Sequence, residues 1–352
     1  MTEQSGITIV PADKLRDITI SIFQAVGLSE EHAAIVADAL VEADLRGVHS
    51  HGVMRIPQYL GQIPSGAINP RPQVRLVSDN GATALFDGDA GLGHIVSTMA
   101  MATAIEKARA FGIGAVGVGN SSHNGAAAHY AIQAISYDMI GFATTNCGAS
   151  MAPPGGVERK TGNNPIAYAI PAGDELPIVL DMALSVVAGG KLMLAAKANQ
   201  KIPLGWATDS DGNPTDDPVA GLKGMLTPIG GYKGYGLALI MDVFCGLLTG
   251  SDYGVHLGDQ FDPTRHENAG HFFMAIDVSH FVSLDTFKRR VDEMIREIRA
   301  TKPAPGVERV YLPGEIEWLR RRERIIQGIP LSSGVYASLQ EHAARLGVSI
   351  DW

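Results

Sequence analysis

From about residue 76 onward, short apolar runs alternate with stretches of helical periodicity, and this alternation constrains the fold more than any other feature of the chain. A run at 83–86, a turn at Asp87-Gly88-Asp89 and a helix through Ala108 are followed by a run at 113–118, an alanine-rich helix at 126–136 and a run at 139–144. Strands that take turns with helices pack as layers, and the spacing predicts an α/β domain with at least some parallel strands. Runs at 165–171 and 178–181 add two short strands, and a strand at 272–276 and a helix at 284–300 follow. The interval 197–227, with Asp209-Ser210-Asp211-Gly212-Asn213-Pro214, is dense in turn residues and reads as a surface excursion. The apolar run 236–248 reads as a buried helix, since it is interrupted by Asp242 and is shorter than the ~20 residues a bilayer requires.

The first 75 residues read as helical. Pro11 suits a helix start, apolar residues Leu15, Ile18, Ile22 and Phe23 recur at helical spacing, Gly27 ends the pattern and Ser29 can cap a second helix. Pro57 marks the start of a third. Beyond the proline-rich linker 302–306 a C-terminal helical pair is expected to pack back onto this block. Arg320-Arg321-Arg322-Glu323-Arg324 reads as a solvated helix face with local ion pairs.

Composition narrows the function. A net charge of −9 provides no electrostatic footprint for nucleic acid, and no polybasic segment borders an apolar run, so neither nucleic acid nor a membrane is an expected partner. A small-molecule substrate is. Residues 1–10 lack the basic and apolar regions of a secretory signal, and the two cysteines, Cys147 and Cys245, have no partner motif; both point to a reducing cytoplasm and to no cysteine-based metal site.

The segment Asn120-Ser121-Ser122-His123-Asn124-Gly125 joins an apparent strand to a helix. A histidine in such a connection, with a reference pKa near 6.5, can exchange a proton with a bound substrate, which makes His123 the leading acid/base candidate. Its bland alternative is a helix cap. Arg55 and Tyr59, four residues apart, would project together on one helix and could clamp a carboxylate, with Ser50 and His51 just upstream. Asp181 ends an apolar run, where it either meets a ribose or caps the next helix. Gly230-Gly231-Tyr232-Lys233-Gly234 opens a helix whose free amides and lysine suit a phosphate, or whose glycines serve packing alone. Gly112-Ile113-Gly114-Ala115-Val116-Gly117 matches GxGxxG formally, but these glycines close a helix and begin a strand, so Gly112 is better read as a helix cap.

Taken in order, Arg46-Gly47-Val48-His49-Ser50-His51-Gly52 with Arg55 and Tyr59, the Asn120 to Gly125 segment, Thr145-Asn146, Gly162-Asn163-Asn164-Pro165, Asp181-Met182-Ala183, Gly231-Tyr232-Lys233-Gly234-Tyr235-Gly236-Leu237 and Leu312-Pro313-Gly314-Glu315 span nearly the whole chain. The chain thereby resembles the type-2 malate/L-lactate dehydrogenase family, which includes ureidoglycolate and sulfolactate dehydrogenases and cyclic imino-acid reductases. The resemblance implies a non-Rossmann layered α/β cofactor domain (76–300) and a helical domain built from the N- and C-terminal segments (1–75 and 301–352). It implies a homodimer that uses NAD or NADP to move hydride between a 2-hydroxy acid and its 2-oxo acid. Carried over by position, His123 is the acid/base and Ser50, Arg55 and Tyr59 belong to the substrate pocket. Asp181, Met182, Ala183, Lys233, Pro313, Gly314 and Glu315 line the cofactor. Asn124 stands where an aromatic residue commonly follows the histidine, and Gly190 replaces a more usual residue before Lys191. Lys191, Lys197 and Lys201 could meet a 2′-phosphate, whereas Asp181 could favour an unphosphorylated ribose, so the nucleotide is left open. Two alternatives stand beside this expectation: reduction of cyclic imino acids such as piperideine-2-carboxylate, and a metal-dependent hydrolase using His49, His51 and His123.

Overall fold

The computed structural model describes residues 6–350. Its first element corrects the expectation of a wholly helical N-terminal segment: strand β1 (Ile7–Val10) precedes α1 (Ala12–Ala25) and α2 (Glu30–Leu45). The Ser29 side chain accepts the His32 N–H at 3.2 Å and caps α2 as its sequence position implies. Two single 3-10 turns, His49–His51 and Val53–Arg55, lead into α3 (Ile56–Gln62), which carries Pro57 in its first turn.

The layered part opens with the antiparallel pair β2 (Arg75–Asn80) and β3 (Thr83–Asp87), followed by α4 (Gly93–Phe111) and β4 (Ile113–Ser121). Because α4 crosses back over the sheet, β3 and β4 run parallel. Next come a one-turn α5 (Ala128–Ala131) that tightens into 3-10 structure through Tyr137, then β5 (Met139–Thr145), β6 (Ile166–Ile170) and β7 (Ile178–Met182). The interval expected to be a surface excursion is instead structured. It contains α6 (Gly189–Lys197), β8 (Ala207–Thr208), β9 (Pro214–Thr215), α7 (Pro218–Lys223) and β10 (Met225–Leu226), and it buries Ile202, Ala207 and Leu226 in a core with Phe142 and Met241.

Helix α8 (Tyr232–Asp242) begins four residues before its apolar run and passes into a π-helical turn, Val243–Leu247. It is not buried throughout. Ala238, Met241 and Cys245 face inward, while Leu237, Leu239, Ile240, Leu247 and Leu248 are each close to half exposed or more. The chain then adds β11 (Ala269–Asp277), α9 (Leu284–Arg299), α10 (Glu315–Gln327), β12 (Ile329–Ser332) and α11 (Ser333–Arg345). The expected C-terminal helical pair thus encloses a strand, and β12 pairs antiparallel with β1.

The main sheet has the order β2-β3-β4-β11-β5-β6-β7, and every neighbouring pair except β3–β4 is antiparallel. A dinucleotide-binding Rossmann sheet is parallel, so the fold is of another kind. Ala100, Met101, Ala104 and Ala108 of α4 pack on Val116, Val118, Phe273 and Ala275 of the sheet. A Cβ on Gly114 would stand 2.0 Å from the Ala104 carbonyl, and Gly112 ends α4 at φ +81°. Close helix–strand packing and a left-handed cap therefore explain these glycines. A separate core joins Leu15, Ile22, Phe23, Leu40 and Tyr59 to Ile329, Leu331 and Leu339, so the two ends of the chain form one helical layer. Arg321 reaches Glu42 at 2.7 Å and Arg324 donates to His49 Nε2 at 3.0 Å, so the arginine run clamps α10 onto α2 and is more than a solvated face. Among the described residues no helix is long and apolar enough to cross a membrane.

Candidate active site

Strand β4 ends at Ser121, and the chain then runs without regular structure to α5, which leaves His123 at the junction of the sheet and the helical layer. Asn120 turns the chain at φ +53°, a conformation asparagine tolerates better than most residues. From the other layer the fully buried Tyr59 of α3 places its hydroxyl 2.8 Å from His123 Nδ1. The His51 ring stacks on His123 at 5.7 Å and 23°. His94, completely buried, stands edge-on to Tyr59 at 5.5 Å, and neither of its ring nitrogens has a hydrogen-bond partner. Burial in this aromatic enclosure pushes the His123 pKa well below its ordinary value, and the Arg55 charge adds to the effect. At neutral pH His123 is a neutral base.

Arg55 lies in the 3-10 turn just ahead of α3, which changes the pairing its spacing suggested. Its Nε donates to the Ser50 carbonyl at 2.7 Å and its Nη1 to Gln58 Oε1 at 2.8 Å, while the Tyr59 phenol is directed to His123. The Phe261 ring lies 5.5 Å from the guanidinium carbon. Held at two of its five donors, the guanidinium keeps the remainder for a carboxylate. Ser50 is exposed, and its hydroxyl meets His51 Nδ1 at 2.9 Å.

The other predicted residues gather along the β7 edge. The Asp181 carboxylate accepts the Ala128 N–H at 3.0 Å, so it caps α5, not the helix that follows Asp181 in sequence. That bond ties the end of β7 to the start of α5, five residues past His123. Ile229 N–H donates to the Leu184 carbonyl at 3.0 Å, bringing the Gly230-Gly231 turn and Lys233 alongside. Lys233 is exposed, and a Cβ on Gly231 would meet nothing within 4 Å. On the opposite flank Val179 N–H donates to the Pro313 carbonyl at 3.0 Å, and Gly314, at φ +80°, lies so close that a Cβ would come within 2.5 Å of the Val179 carbonyl. Glu315 is turned inward: Arg309, Arg299 and the Leu312 N–H engage its carboxylate. The strip from Asp181 past the open glycine turn to Lys233, with an exposed ammonium and a helix start at one end, fits an elongated anionic nucleotide. Of the three lysines considered for a 2′-phosphate, Lys201 pairs with Asp216 at 2.6 Å and Lys191 lies over Trp206, while Lys197 stands exposed at the end of α6.

The histidines do not assemble as a hydrolase metal site would need. His49 Nδ1 contacts Asp44 at 2.7 Å and its Nε2 faces Arg324, away from His123. Among the described residues no group of three or more His, Cys, Asp or Glu side chains could hold a metal. Reading the residues alone missed Glu267, whose carboxyl Oε2 accepts the His123 backbone N–H at 2.7 Å, as well as His94, Gln58 and Phe261. Nothing local in the sequence signals the partner of Glu267, which lies 144 residues away.

A mixed sheet with a helical layer across one end, and an imidazole, a phenol and a guanidinium brought together between the two, defines a non-Rossmann α/β protein. The family model described as malate/L-lactate dehydrogenase matches residues 10–340. The chain is 42% identical over 347 residues to the malate dehydrogenase of Pyrococcus abyssi, covering 96% of this chain and 95% of that one. It is 40% identical over 343 residues to the L-sulfolactate dehydrogenase of Methanocaldococcus jannaschii, covering 97% and 98%. The solved structure of malate dehydrogenase from Pyrococcus horikoshii OT3 matches with a TM-score of 0.90 at 38% identity, over 98% of this chain and 97% of that one. The chain belongs to the malate/L-lactate dehydrogenase family.

Proposed function

We propose that the protein is a nicotinamide-nucleotide-dependent dehydrogenase that interconverts a small 2-hydroxy acid and its 2-oxo acid. The observation that carries this reading is the 2.8 Å contact between Tyr59 and a neutral His123 under the influence of Arg55. Arg55 holds the substrate carboxylate and so presents C2 to the imidazole. The proton can sit on either ring nitrogen of His123; the form that donates from Nδ1 to Tyr59 leaves the Nε2 lone pair free to accept the hydroxyl proton. In the reverse direction the imidazolium returns that proton to the alkoxide oxygen. Bound NAD or NADP supplies or accepts the hydride. Asp181, Met182, Ala183 and Lys233, with the turn at Pro313 and Gly314, hold the nucleotide along the β7 edge; Glu315 contributes by fixing that turn through its own ion pairs.

The reading takes 76–300 as an α/β cofactor domain and 1–75 with 301–352 as a helical domain, with the substrate between them; the helical core draws mainly on the two ends of the chain, with Leu92 and Ile95 at the start of α4 added to it. The exposed leucine face of α8 supports a homodimer, since a contiguous apolar face of this kind is usually covered by a second copy. Relatives that act on malate and sulfolactate favour the CH–OH reaction over cyclic imine reduction. The test is oxidation of NADH and of NADPH, followed by absorbance over a panel of 2-oxo acids and cyclic imines, with wild type and His123→Ala side by side. A turnover with a 2-oxo acid that falls by about 10²–10⁴-fold in His123→Ala, with nucleotide binding intact, supports the proposal. Undiminished activity in that variant overturns it.

A further inference from the structure

The loop 257–268 touches both halves of the proposed site. At one end the Gln260 carbonyl accepts Gln58 Nε2 at 2.8 Å, and Phe261 covers Arg55. At the other, His266 bridges the Ala67 carbonyl at 3.0 Å and Asn120 Oδ1 at 3.1 Å, and Glu267 Oε2 accepts the His123 N–H at 2.7 Å. The Gly258 N–H closes the loop on the Glu267 carbonyl at 2.9 Å. The loop therefore spans the distance between the carboxylate clamp and the acid/base.

Glu267 is the unexpected member. It is 3% exposed, and burial, together with the nearby Asp259 charge, pushes its carboxyl up to about 8 against the pull of the His123 N–H and of Arg55. His123 lies in irregular chain between β4 and α5, where a backbone N–H has no ladder partner. A side chain from the loop supplies the acceptor, and the direction of the imidazole follows from where that N–H is pinned. We infer that Glu267 is a positioning residue for the reaction: it anchors the His123 backbone so that the imidazole stays in register with Tyr59 and Arg55. The inference rests on the proposal that His123 is the acid/base.

The test is a double-mutant cycle on the full-length enzyme, with Glu267→Ala and Glu267→Gln made alone and in the His123→Ala background. Glu267→Ala should lower kcat by about 10–100-fold, the scale expected for a misplaced catalytic group, while the nucleotide KM changes by less than about twofold. Glu267→Gln retains an oxygen that can accept the same N–H, and should keep kcat within about threefold of wild type. In His123→Ala, removing Glu267 should produce no further loss, because there is no imidazole left to position. Wild-type kcat in Glu267→Ala, an equal loss with and without His123, or a Glu267→Gln as impaired as Glu267→Ala would each overturn the inference. If Glu267→Ala does not fold, Glu267→Met, which is similar in length and lacks a carboxyl oxygen, takes its place with the same outcomes. Full activity in His123→Ala alone would instead overturn the reading of His123.

Discussion

Tyr59 Oη stands 2.8 Å from His123 Nδ1, and this hydrogen bond links the helical layer to the sheet layer at the proposed proton-transfer group. Because burial raises the phenol well above its ordinary pKa, Tyr59 remains protonated throughout the working range. In the proposed mechanism it orients the ring and selects which nitrogen faces the substrate. Tyr59→Phe removes the contact with little change of shape. It should cost about 1–1.5 kcal/mol, roughly 10-fold if expressed wholly in kcat. Steady-state kinetics showing an unchanged kcat in a folded Tyr59→Phe would remove Tyr59 from the machinery.

Arg55 should act on both substrate affinity and the acidity of His123. Losing a charge-assisted pair with the carboxylate costs about 1.5–3 kcal/mol, so Arg55→Ala should reduce kcat/KM by roughly 10–150-fold. Arg55→Lys should recover only part of it, because an ammonium cannot reproduce the fork that Ser50 and Gln58 orient. After burial, the Arg55 charge is the next influence holding the His123 pKa down. Its removal should therefore move the acid limb of the kcat/KM profile to higher pH, a shift that loss of affinity alone does not produce.

The burial that keeps His123 neutral extends to its neighbours, with a consequence for stability. Burial lowers His94 and His271 to about 3 and His51 and His129 to about 4. A base depressed in the folded state contributes stability that is complete above its unfolded pKa near 6.5 and is lost as pH falls through the window down to those values. Glu267, raised to about 8, and Asp181 and Asp242, each raised to about 6, act in the opposite sense, since a folded state that retains these protons loses stability as pH rises above their ordinary values near 4. The histidines outnumber these acids, so the denaturant midpoint should fall steadily from pH 6.5 to 4. A flat midpoint across that interval would mean that the cluster is hydrated in solution.

How much of this could be read in the sequence depended on whether the partners were local. The strand before His123 was legible because an apolar run gives way to small polar residues, and Gly112 because a helix ends there in a left-handed turn. The β1–β12 ribbon was not, since two four-residue strands at opposite ends of the chain carry no local sign of each other. The half-exposed face of α8 was hidden for a different reason: a helix apolar on all sides has no periodicity from which to tell the inside from the outside. Asp181 was expected to meet a ribose or to cap the helix after it, but its cap belongs to α5, which precedes it by some fifty residues. Glu267 was passed over because its meaning lies in a bond to a backbone N–H 144 residues away.

Gly314 offers the sharpest test of the proposed nucleotide edge. The residue adopts φ +80°, and an added Cβ would meet the Val179 carbonyl at 2.5 Å, so alanine there is opposed by both backbone strain and contact with β7. Left-handed backbone alone costs a non-glycine residue about 1–2 kcal/mol, and relief of the clash requires the 313–315 turn to move off the strand. Glu315 resists that movement through Arg299 and Arg309, so the displacement should remain local and the protein should fold. Trp318, whose indole donates to the Pro177 carbonyl at 3.0 Å, lies at the same junction. Gly314→Ala should weaken nucleotide binding by roughly 10-fold, equivalent to about 1.4 kcal/mol, while the Tyr59–His123 contact is untouched and kcat at saturating nucleotide stays near wild type. Titration of NADH and NADPH against intrinsic fluorescence measures this. Wild-type affinity in the variant would show that the turn lies outside the nucleotide's path.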